Sequence, residues 1–431
     1  MATAYNNFAI FLDDYLGDYP SSASNYQKAI SIFEKLPKDN PEYQNKLASA
    51  YNNLAVLQKN HLQDYTSSES NYQKAISIRE KLPKDNPEYQ NGLAGAYTNL
   101  AILQSNYLGD YPSSESNYQK AISICEKLPK DNPEYQNGLA SAYYNLANLQ
   151  QNHLCDYPSS ESNYQKAISI REKLPKDNPE YQNKLAGAYI NLANLQQRHL
   201  GDYASSASNY QKAISISEKL PKDNPEYQDV LASAYNNLAN LQQCHLGDYA
   251  SSASNYQKAI SIGEKLPKDN PEYQNGLALA YNNLANLQQN HLGDYASSAS
   301  NYQKAISIRE KLPKDNPEYQ DGLAGAYNSL AYCYNEQKKY NEAISMVLKA
   351  IDIANVLSTN DSKYLIDWIG YNHSLAEIVY NNNEIDRARE ILNEIKPMAE
   401  KCLTENPDDK WTRQVNNEII ELLKKCGDKG K

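Results

Sequence analysis

The chain has 431 residues and a formal net charge of −10. This acidic balance, together with the absence of a basic run, argues against a nucleic-acid or anionic-membrane partner. The first residues contain neither a basic leader nor a long apolar stretch, so neither export nor a membrane span is expected. The six cysteines stand singly, without CxxC spacing, which is typical of reduced thiols in a cytoplasmic protein.

An almost verbatim repeat of 46 residues dominates the sequence, and seven copies occupy residues 1–322. Its period is clearest in the segment NYQKAISI. The tyrosine of that segment recurs at Tyr26, Tyr72, Tyr118, Tyr164, Tyr210, Tyr256 and Tyr302. A period in this range predicts a solenoid, in which each unit buries its apolar face only against its neighbours.

Residues typical of a helix N-terminus mark the start of the first helix. In one copy Asn86, Pro87 and Glu88 supply an N-cap, a proline at the first helical position and an early acid. The residues that follow place apolar side chains mostly at spacings of three and four, as in an amphipathic helix. Gly109 then suits a left-handed stop.

A second helix is expected from about Pro112 to Leu128, where Pro129 ends it. No segment alternates with a period of two, so each copy is predicted to be a helical hairpin. Gln63 and Cys155 replace the glycine of the first turn in two copies. Because a side chain in the left-handed conformation costs roughly 1 kcal/mol, those turns are expected to be strained or built differently.

Beyond residue 322 the sequence diverges from the repeat. Residues 323–406 are interpreted as two divergent repeats of the same kind. Residues 407–426 are predicted to form a C-terminal capping helix, because Trp411, Val415 and Ile419 lie on one apolar stripe. Residues 427–431 are expected to form a disordered tail.

The eighth unit resembles a tetratricopeptide repeat. Its packing signature falls at Tyr327, Leu330, Ala331, Tyr334, Ala343, Val347 and Ala350. The seven longer units resemble the kinesin-light-chain variety, whose AIxIREKL and NPxxxxxLxNLA wording matches AISIREKL and NPEYQNGLAGAYTNLA here. They differ in being four residues longer, with Gln58 at the expected aromatic position and Ser298 at the expected small alanine. The resemblance implies an all-α, right-handed superhelical solenoid of helical hairpins.

One asparagine does not change between the first helices of the seven copies. It stands at Asn7, Asn53, Asn99, Asn145, Asn191, Asn237 and Asn283, and we call this set the asparagine ladder. A carboxamide offers donors and an acceptor that suit a peptide backbone. If inner helices lie roughly 10 Å apart, an extended ligand rising about 3.3 Å per residue would meet one amide every three residues or so.

The resemblance implies that this helix face lines a concave surface and that such ladders hold peptide backbones. The other interpretation is that each asparagine bonds the adjacent helix or water. A variable stripe runs beside the ladder and is represented in the second copy by Lys46, Ser49, Asn52, Val56 and Asn60. Its steps of three and four keep it on one helical face, where drift of a solvent-facing surface explains the variation as well as partner recognition does.

No catalytic, metal or cofactor site is predicted, since the chain has no GxSxG, P-loop or HExxH motif. Histidines recur near the end of the first helix, at His61, His153, His199, His245 and His291. A metal ion needs several ligands within about 2 Å, and one imidazole per repeat does not converge, so packing is expected. Cys125 occupies a slot that holds Phe33 or Arg79 in other copies, and is interpreted as an exposed neutral change.

The function that these patterns favour is a non-enzymatic scaffold that binds an extended segment of a partner protein in the concave groove. The alternative is a structural, self-assembling rod. Phe8, Phe11 and Phe33, the three phenylalanines of the chain, all lie in the first copy. Because a terminal repeat normally needs a polar outer face, the apolar FAIFL segment indicates either self-association through that copy or merely a bare first helix that Met1 starts abruptly.

Overall fold

The computed structural model describes residues 1–429, and those residues form helices and turns without a strand. The predicted hairpins are present. Their first helices are α1 (Ala2–Phe11), α3 (Pro41–Leu57), α5 (Pro87–Leu103), α7 (Pro133–Asn152), α9 (Pro179–Leu195), α11 (Pro225–Leu241) and α13 (Pro271–Leu287). Their second helices are α2 (Tyr19–Phe33), α4 (Tyr65–Arg79), α6 (Tyr111–Cys125), α8 (Tyr157–Arg171), α10 (Tyr203–Ser217), α12 (Tyr249–Gly263) and α14 (Tyr295–Arg309).

The divergent part of the chain continues with α15 (Pro317–Glu336), α16 (Tyr340–Asn360), a 3-10 turn (Ser362–Tyr364), α17 (Leu365–Asn381), α18 (Ile385–Glu405) and α19 (Lys410–Lys429). The chain divides into two compact units. The N-terminal unit, Met1–Leu220, contains α1 to α10, and the C-terminal unit, Pro221–Lys431, contains α11 to α19. Each is described by itself below.

The predicted helix caps are confirmed. The side chain of Asn86 accepts hydrogen bonds from the backbone N–H groups of Glu88 at 2.9 Å and Tyr89 at 3.3 Å. Asp110 opens the second helix by accepting from the N–H of Ser113 at 3.2 Å. These contacts satisfy donors that have no partner inside the helix, which is why each first helix after α1 begins at the same place in its copy.

The turn between the two helices contains a feature that the sequence did not indicate. A five-residue π-helical turn extends the first helix in six copies. The turns are Leu12–Leu16, Gln58–Leu62, Gln104–Leu108, Gln196–Leu200, Gln242–Leu246 and Gln288–Leu292. A left-handed residue follows the π-helical turn, with φ of 68° at Gly109 and 53° at Gln63. Cys155, which follows α7 in the copy without a π-helical turn, has the same φ of 53°. The two substituted turns therefore retain the left-handed conformation and its strain.

Polar contacts close each hairpin where the tetratricopeptide pattern would place an aromatic and an alanine. In the second copy the Asn71 amide donates to the Gln58 side-chain oxygen at 2.8 Å. The Ser68 hydroxyl donates to the carbonyl of Ala55, also at 2.8 Å. The corresponding bonds recur in other copies, so the departures from the pattern form a paired polar seam.

Neighbouring hairpins in the N-terminal unit meet around a tyrosine of the first helix. The Tyr51 hydroxyl donates to Glu34 at 2.5 Å, and the Lys74 ammonium lies 5.2 Å from the Tyr51 ring centroid. Burial raises the pKa of Tyr51, and the bond to Glu34 raises it further. The same three residue types meet in later copies of both units, which gives these tyrosines the partners that their hydroxyls need.

The end of the C-terminal unit differs from the prediction. Helix α19 continues through Lys429, whereas a disordered tail was expected from residue 427. Cys426 is fully buried, and its backbone oxygen accepts a hydrogen bond from Arg389 at 2.9 Å, which holds the last turns against α18. Residues 430 and 431 of the predicted tail lie outside the described residues.

Candidate peptide-binding face

The asparagine ladder lies on neighbouring first helices. From α3 to α9 in the N-terminal unit, and from α11 to α15 in the C-terminal unit, each first helix contacts the next one in the series. The ladder residues from Asn53 to Asn283 are half-buried, and Asn7 is exposed. Each copy therefore contributes one accessible carboxamide to the same face of the first helices.

Three ladder amides are held by the preceding first helix. Asn99 donates to Asn52 at 3.3 Å, and Asn283 donates to Asn236 at 3.1 Å. Asn191 donates to the Tyr144 hydroxyl at 2.6 Å. Bonding to the adjacent helix, the alternative considered from the sequence, therefore occurs in these copies.

These bonds use the amide nitrogen and leave the amide oxygen. Among the described residues, no hydrogen bond reaches the side-chain oxygen of Asn99, Asn191 or Asn283, and none involves Asn53 or Asn145. In the remaining copies the side-chain oxygens of Asn7 and Asn237 accept from the asparagine that precedes each of them. A half-buried carboxamide with a fixed plane and an open oxygen is suited to accept an N–H from a ligand.

Part of the variable stripe has an internal role. The buried Tyr210 hydroxyl donates to Asn194 at 2.5 Å and also contacts Gln197 at 3.1 Å. In the second copy the corresponding stripe residue is Val56, and the buried Tyr72 hydroxyl has no hydrogen-bond partner among the described residues. The residues at the positions of Asn194 and Gln197 change together between copies. This joint change is the sequence signal that could have revealed the hydrogen-bond partners of the buried tyrosine.

The slot at the C-terminal end of the second helix is buried, so the interpretation of Cys125 as exposed was wrong. Cys125 is 3% exposed, and burial raises the pKa of its thiol to about 11. The slot faces the first helix of the next copy, and variation there had suggested exposure. Arg79 and Arg171 fill the same slot in other copies, and burial lowers the pKa of each guanidinium to about 10.

The recurring histidines pack, as predicted, at the ends of the first helices. His153 stacks on Tyr111 with 4.3 Å between ring centroids, and His199 stacks on Tyr157 at 4.2 Å. Tyr107 makes the same contact with Tyr65 in a copy that lacks the histidine. Within the part of the chain that the structure describes, no cluster of three or more potential metal ligands occurs.

Concave clefts lie between consecutive second helices. In the N-terminal unit a cleft of about 910 Å³ is lined by Glu34, Tyr51, Lys74 and Leu82. Similar clefts of about 520 and 370 Å³ recur in that unit. Their linings are mixed polar and apolar, and they carry the Glu–Tyr–Lys contact rather than the ladder.

Over residues 1–429, no helix has the length and apolarity that crossing a membrane requires.

Comparison with known proteins gives the family. A model described as tetratricopeptide repeat matches residues 46–127, 92–173, 230–311 and 276–355, and another with the same description matches residues 186–220. The chain therefore belongs to the tetratricopeptide repeat family, as its resemblance implied. No curated protein matches the chain by sequence.

The chain is similar to several solved structures, and the first of these shows the same fold. The apo form of RapI is 14% identical, with 89% of this chain and 99% of that chain covered and a TM-score of 0.54. BtubC (BKLC) from P. vanneervenii is 22% identical over 57% of this chain and 92% of that chain, with a TM-score of 0.48. Kinesin-light-chain-like repeats from Podosopora anserina are 16% identical over 52% and 98%, with a TM-score of 0.42.

Proposed function

We propose that this chain is a non-catalytic protein-interaction scaffold whose asparagine ladder binds an extended segment of a partner protein. The observation that carries the proposal is the repetition of one half-buried carboxamide per first helix, with its oxygen open in several consecutive copies. The tetratricopeptide fold supports it, because stacked repeats expose long surfaces suited to extended partners.

The geometry suits recognition of a peptide backbone. The bond from Asn99 to Asn52 uses one amide hydrogen and fixes the plane of the carboxamide. A backbone N–H of the ligand can then donate to the open Asn99 oxygen without first ordering a mobile side chain, which reduces the entropic cost of binding. Contacts to the backbone do not read the ligand sequence, so specificity would come from the variable stripe.

A test begins with peptides selected from a random displayed library against the whole protein. Binding of a selected, fluorescently labelled peptide is then measured by anisotropy. Changing Asn99, Asn145 and Asn191 together to Ala should weaken binding by tenfold or more, since each hydrogen bond contributes about 0.5–1.5 kcal/mol. Urea unfolding should shift by about 1.5–4.5 kcal/mol, because the three internal bonds of Asn99 and Asn191 are lost.

The matched control changes Gln73, Gln119 and Gln165 to Ala. These are exposed carboxamides on the second helices of comparable copies. The control should bind the peptide as the unchanged protein does. Equal affinity of the ladder variant and the control would remove the ladder from the proposal, as would a library that yields no binding peptide.

Self-association through the first copy is the second candidate, and one observation favours it. Phe8, Phe11 and Tyr15 are 50%, 45% and 77% exposed. Their rings stack in series, with 6.4 and 5.5 Å between successive centroids. An aromatic row of this kind is a typical contact surface between proteins.

A further inference from the structure

Within the fold, the slot at the end of the second helix can be a built site for a guanidinium. In the second copy Arg79 is buried there, although no carboxylate of the described residues pairs with it. Its two terminal nitrogens donate to the Gly92 carbonyl at 2.8 Å and the Ser49 hydroxyl at 2.9 Å. Its inner nitrogen lies 3.4 Å from the Asn45 side-chain oxygen. Three acceptors on two neighbouring first helices thus surround one arginine head group.

Two other copies also bury an arginine in the slot and keep its bond to a backbone carbonyl, although the inner nitrogens of Arg171 and Arg309 have no hydrogen-bond partner among the described residues. Arg171 donates to the carbonyl of Lys184 at 2.7 Å, and Arg309 donates to the carbonyl of Gly322. Both arginines are more than nine-tenths buried. The bond from a buried arginine to a first-helix carbonyl therefore recurs in the N-terminal and the C-terminal unit.

The copy that ends at Gly263 retains the surroundings of this site without its arginine. Counting by the 46-residue period, Ser233 corresponds to Ser49 and Gly276 to Gly92. Both line a partly enclosed cavity of about 100 Å³ beside Gly263. A single water needs only about 10–15 Å³, so the space accommodates a larger group.

The third acceptor of the site is changed in a way that favours a cation. Asp229 lines the cavity at the position where Asn45 contacts Arg79. In the part of the chain that is described, its carboxylate has no hydrogen bond or ion pair. Burial raises the pKa of Asp229, and the nearby Glu272 raises it further.

We propose that the cavity between Gly263 and Asp229 binds the guanidinium of an arginine side chain that a partner peptide supplies. The inference rests on the proposed function, because the ladder residue Asn237 and the exposed Leu279 also line this cavity. A peptide held on the ladder would therefore pass its opening. The planar fork of arginine donates to several acceptors at once, as Arg79 does to a carbonyl and a hydroxyl in the second copy, whereas an ammonium is a compact point charge.

The test uses Nα-acetyl-arginine amide as the probe and the citrulline analogue, its neutral isostere, as the comparison. Saturation-transfer difference NMR on the whole protein reports weak binding of either. The arginine probe should give a saturable signal, and the citrulline probe should give at least about tenfold weaker binding, because a hydrogen bond to a charged group contributes more than a neutral one. Equal signals from the two probes would overturn the proposal.

Two variants locate the site. Asp229→Asn introduces the residue that most other copies have, so the fold is retained, and it should lower affinity for the arginine probe about tenfold or more. Gly263→Arg should abolish probe binding by filling the cavity from within. A Cβ at Gly263 would lie 3.1 Å from Leu277, but Leu323 stands in the corresponding place beside Arg309 and that contact is accommodated.

Asp269→Asn is the matched control, because it removes the same charge from an exposed loop outside the cavity. It should bind the arginine probe as the unchanged protein does, and an equal loss in this control and in Asp229→Asn would refute the site. The ladder variant at Asn99, Asn145 and Asn191 should also keep probe binding. A variant that loses only peptide binding would thus have its effect at the ladder. A variant that loses only probe binding would have its effect at the cavity.

Discussion

At the scale of single residues, the stability of this protein depends on where buried hydroxyls find partners. The second-helix tyrosines Tyr72 and Tyr210 are both fully buried. Tyr210 is bonded to Asn194 and Gln197, whereas Tyr72 faces Val56 and has no partner in the described residues. The nearby Ser68 hydroxyl is already donated to a backbone carbonyl. Copies of nearly identical sequence thus differ in how much the buried tyrosine hydroxyl contributes to stability.

Phenylalanine substitutions measure that difference. Tyr210→Phe should lower the free energy of unfolding by about 1–3 kcal/mol, because it removes the hydrogen bonds that the buried hydroxyl makes with Asn194 and Gln197. Tyr72→Phe should be neutral or stabilising, since it removes a buried hydroxyl that has no bond. Urea unfolding of both variants provides the measurement. Equal losses would contradict the assignment of partners.

Prediction from sequence had a clear limit at this scale. Helix periodicity identified which residues could face inward, and the stacked histidines agree with it. The slot of Cys125 was misjudged because tolerance of different residue types was taken for exposure. A buried position between two repeats tolerates such changes when a neighbouring carbonyl or a small cavity compensates, and that compensation depends on contacts between copies.

At the scale of elements, the caps and turns explain why each hairpin begins and ends where it does. The asparagine and aspartate caps could be predicted, because each lies directly before a helical pattern and satisfies its free N–H groups. The π-helical turn could not, since nothing in local propensity distinguishes it from a last α-helical turn. The second helix also ends at Cys125 rather than near Leu128, although Leu128 is buried in the turn that follows.

The left-handed residue after the π-helical turn gives a prediction for this scale. Gln63→Gly should raise the free energy of unfolding by about 1 kcal/mol, because glycine adopts a φ of 53° without the clash of a Cβ. Gln73→Gly is the matched control, since Gln73 is exposed inside a regular helix. It should have the opposite sign and lower stability by about 0.5–1 kcal/mol. Two changes of the same sign in urea unfolding would show that backbone strain is absent from the Gln63 turn.

At the scale of the whole molecule, the two candidate functions predict different masses in solution. A scaffold that binds a peptide on its ladder should remain a monomer of 48.6 kDa over a range of protein concentrations. Self-association through the first copy would raise the mass with concentration, because it would bury the exposed rings of Phe8 and Phe11.

Multi-angle light scattering across a concentration series, with the Phe8→Ser, Phe11→Ser double variant beside the unchanged chain, separates the two. We expect the same monomer mass for both proteins. A mass that grows with concentration in the unchanged chain, and stays constant in the double variant, would favour assembly over peptide binding.

The architecture was more accessible from sequence than the binding face was. A 46-residue period and paired helix signals are sufficient to predict tandem hairpins, because each unit contacts only its neighbours. The positions of the ladder asparagines followed from the same period. Which of their atoms remain open did not, because this depends on Asn52, Tyr144 and Asn236 of the preceding first helices.

The most direct test of peptide recognition is a crystal structure of the whole protein with a peptide selected on it. We predict that backbone N–H groups of the bound segment lie within about 3.2 Å of the side-chain oxygens of Asn99, Asn145 and Asn191. A peptide seated in the clefts between second helices, beside Tyr51 and Lys74, would contradict the account. So would a peptide on the first helices that makes no contact with the ladder.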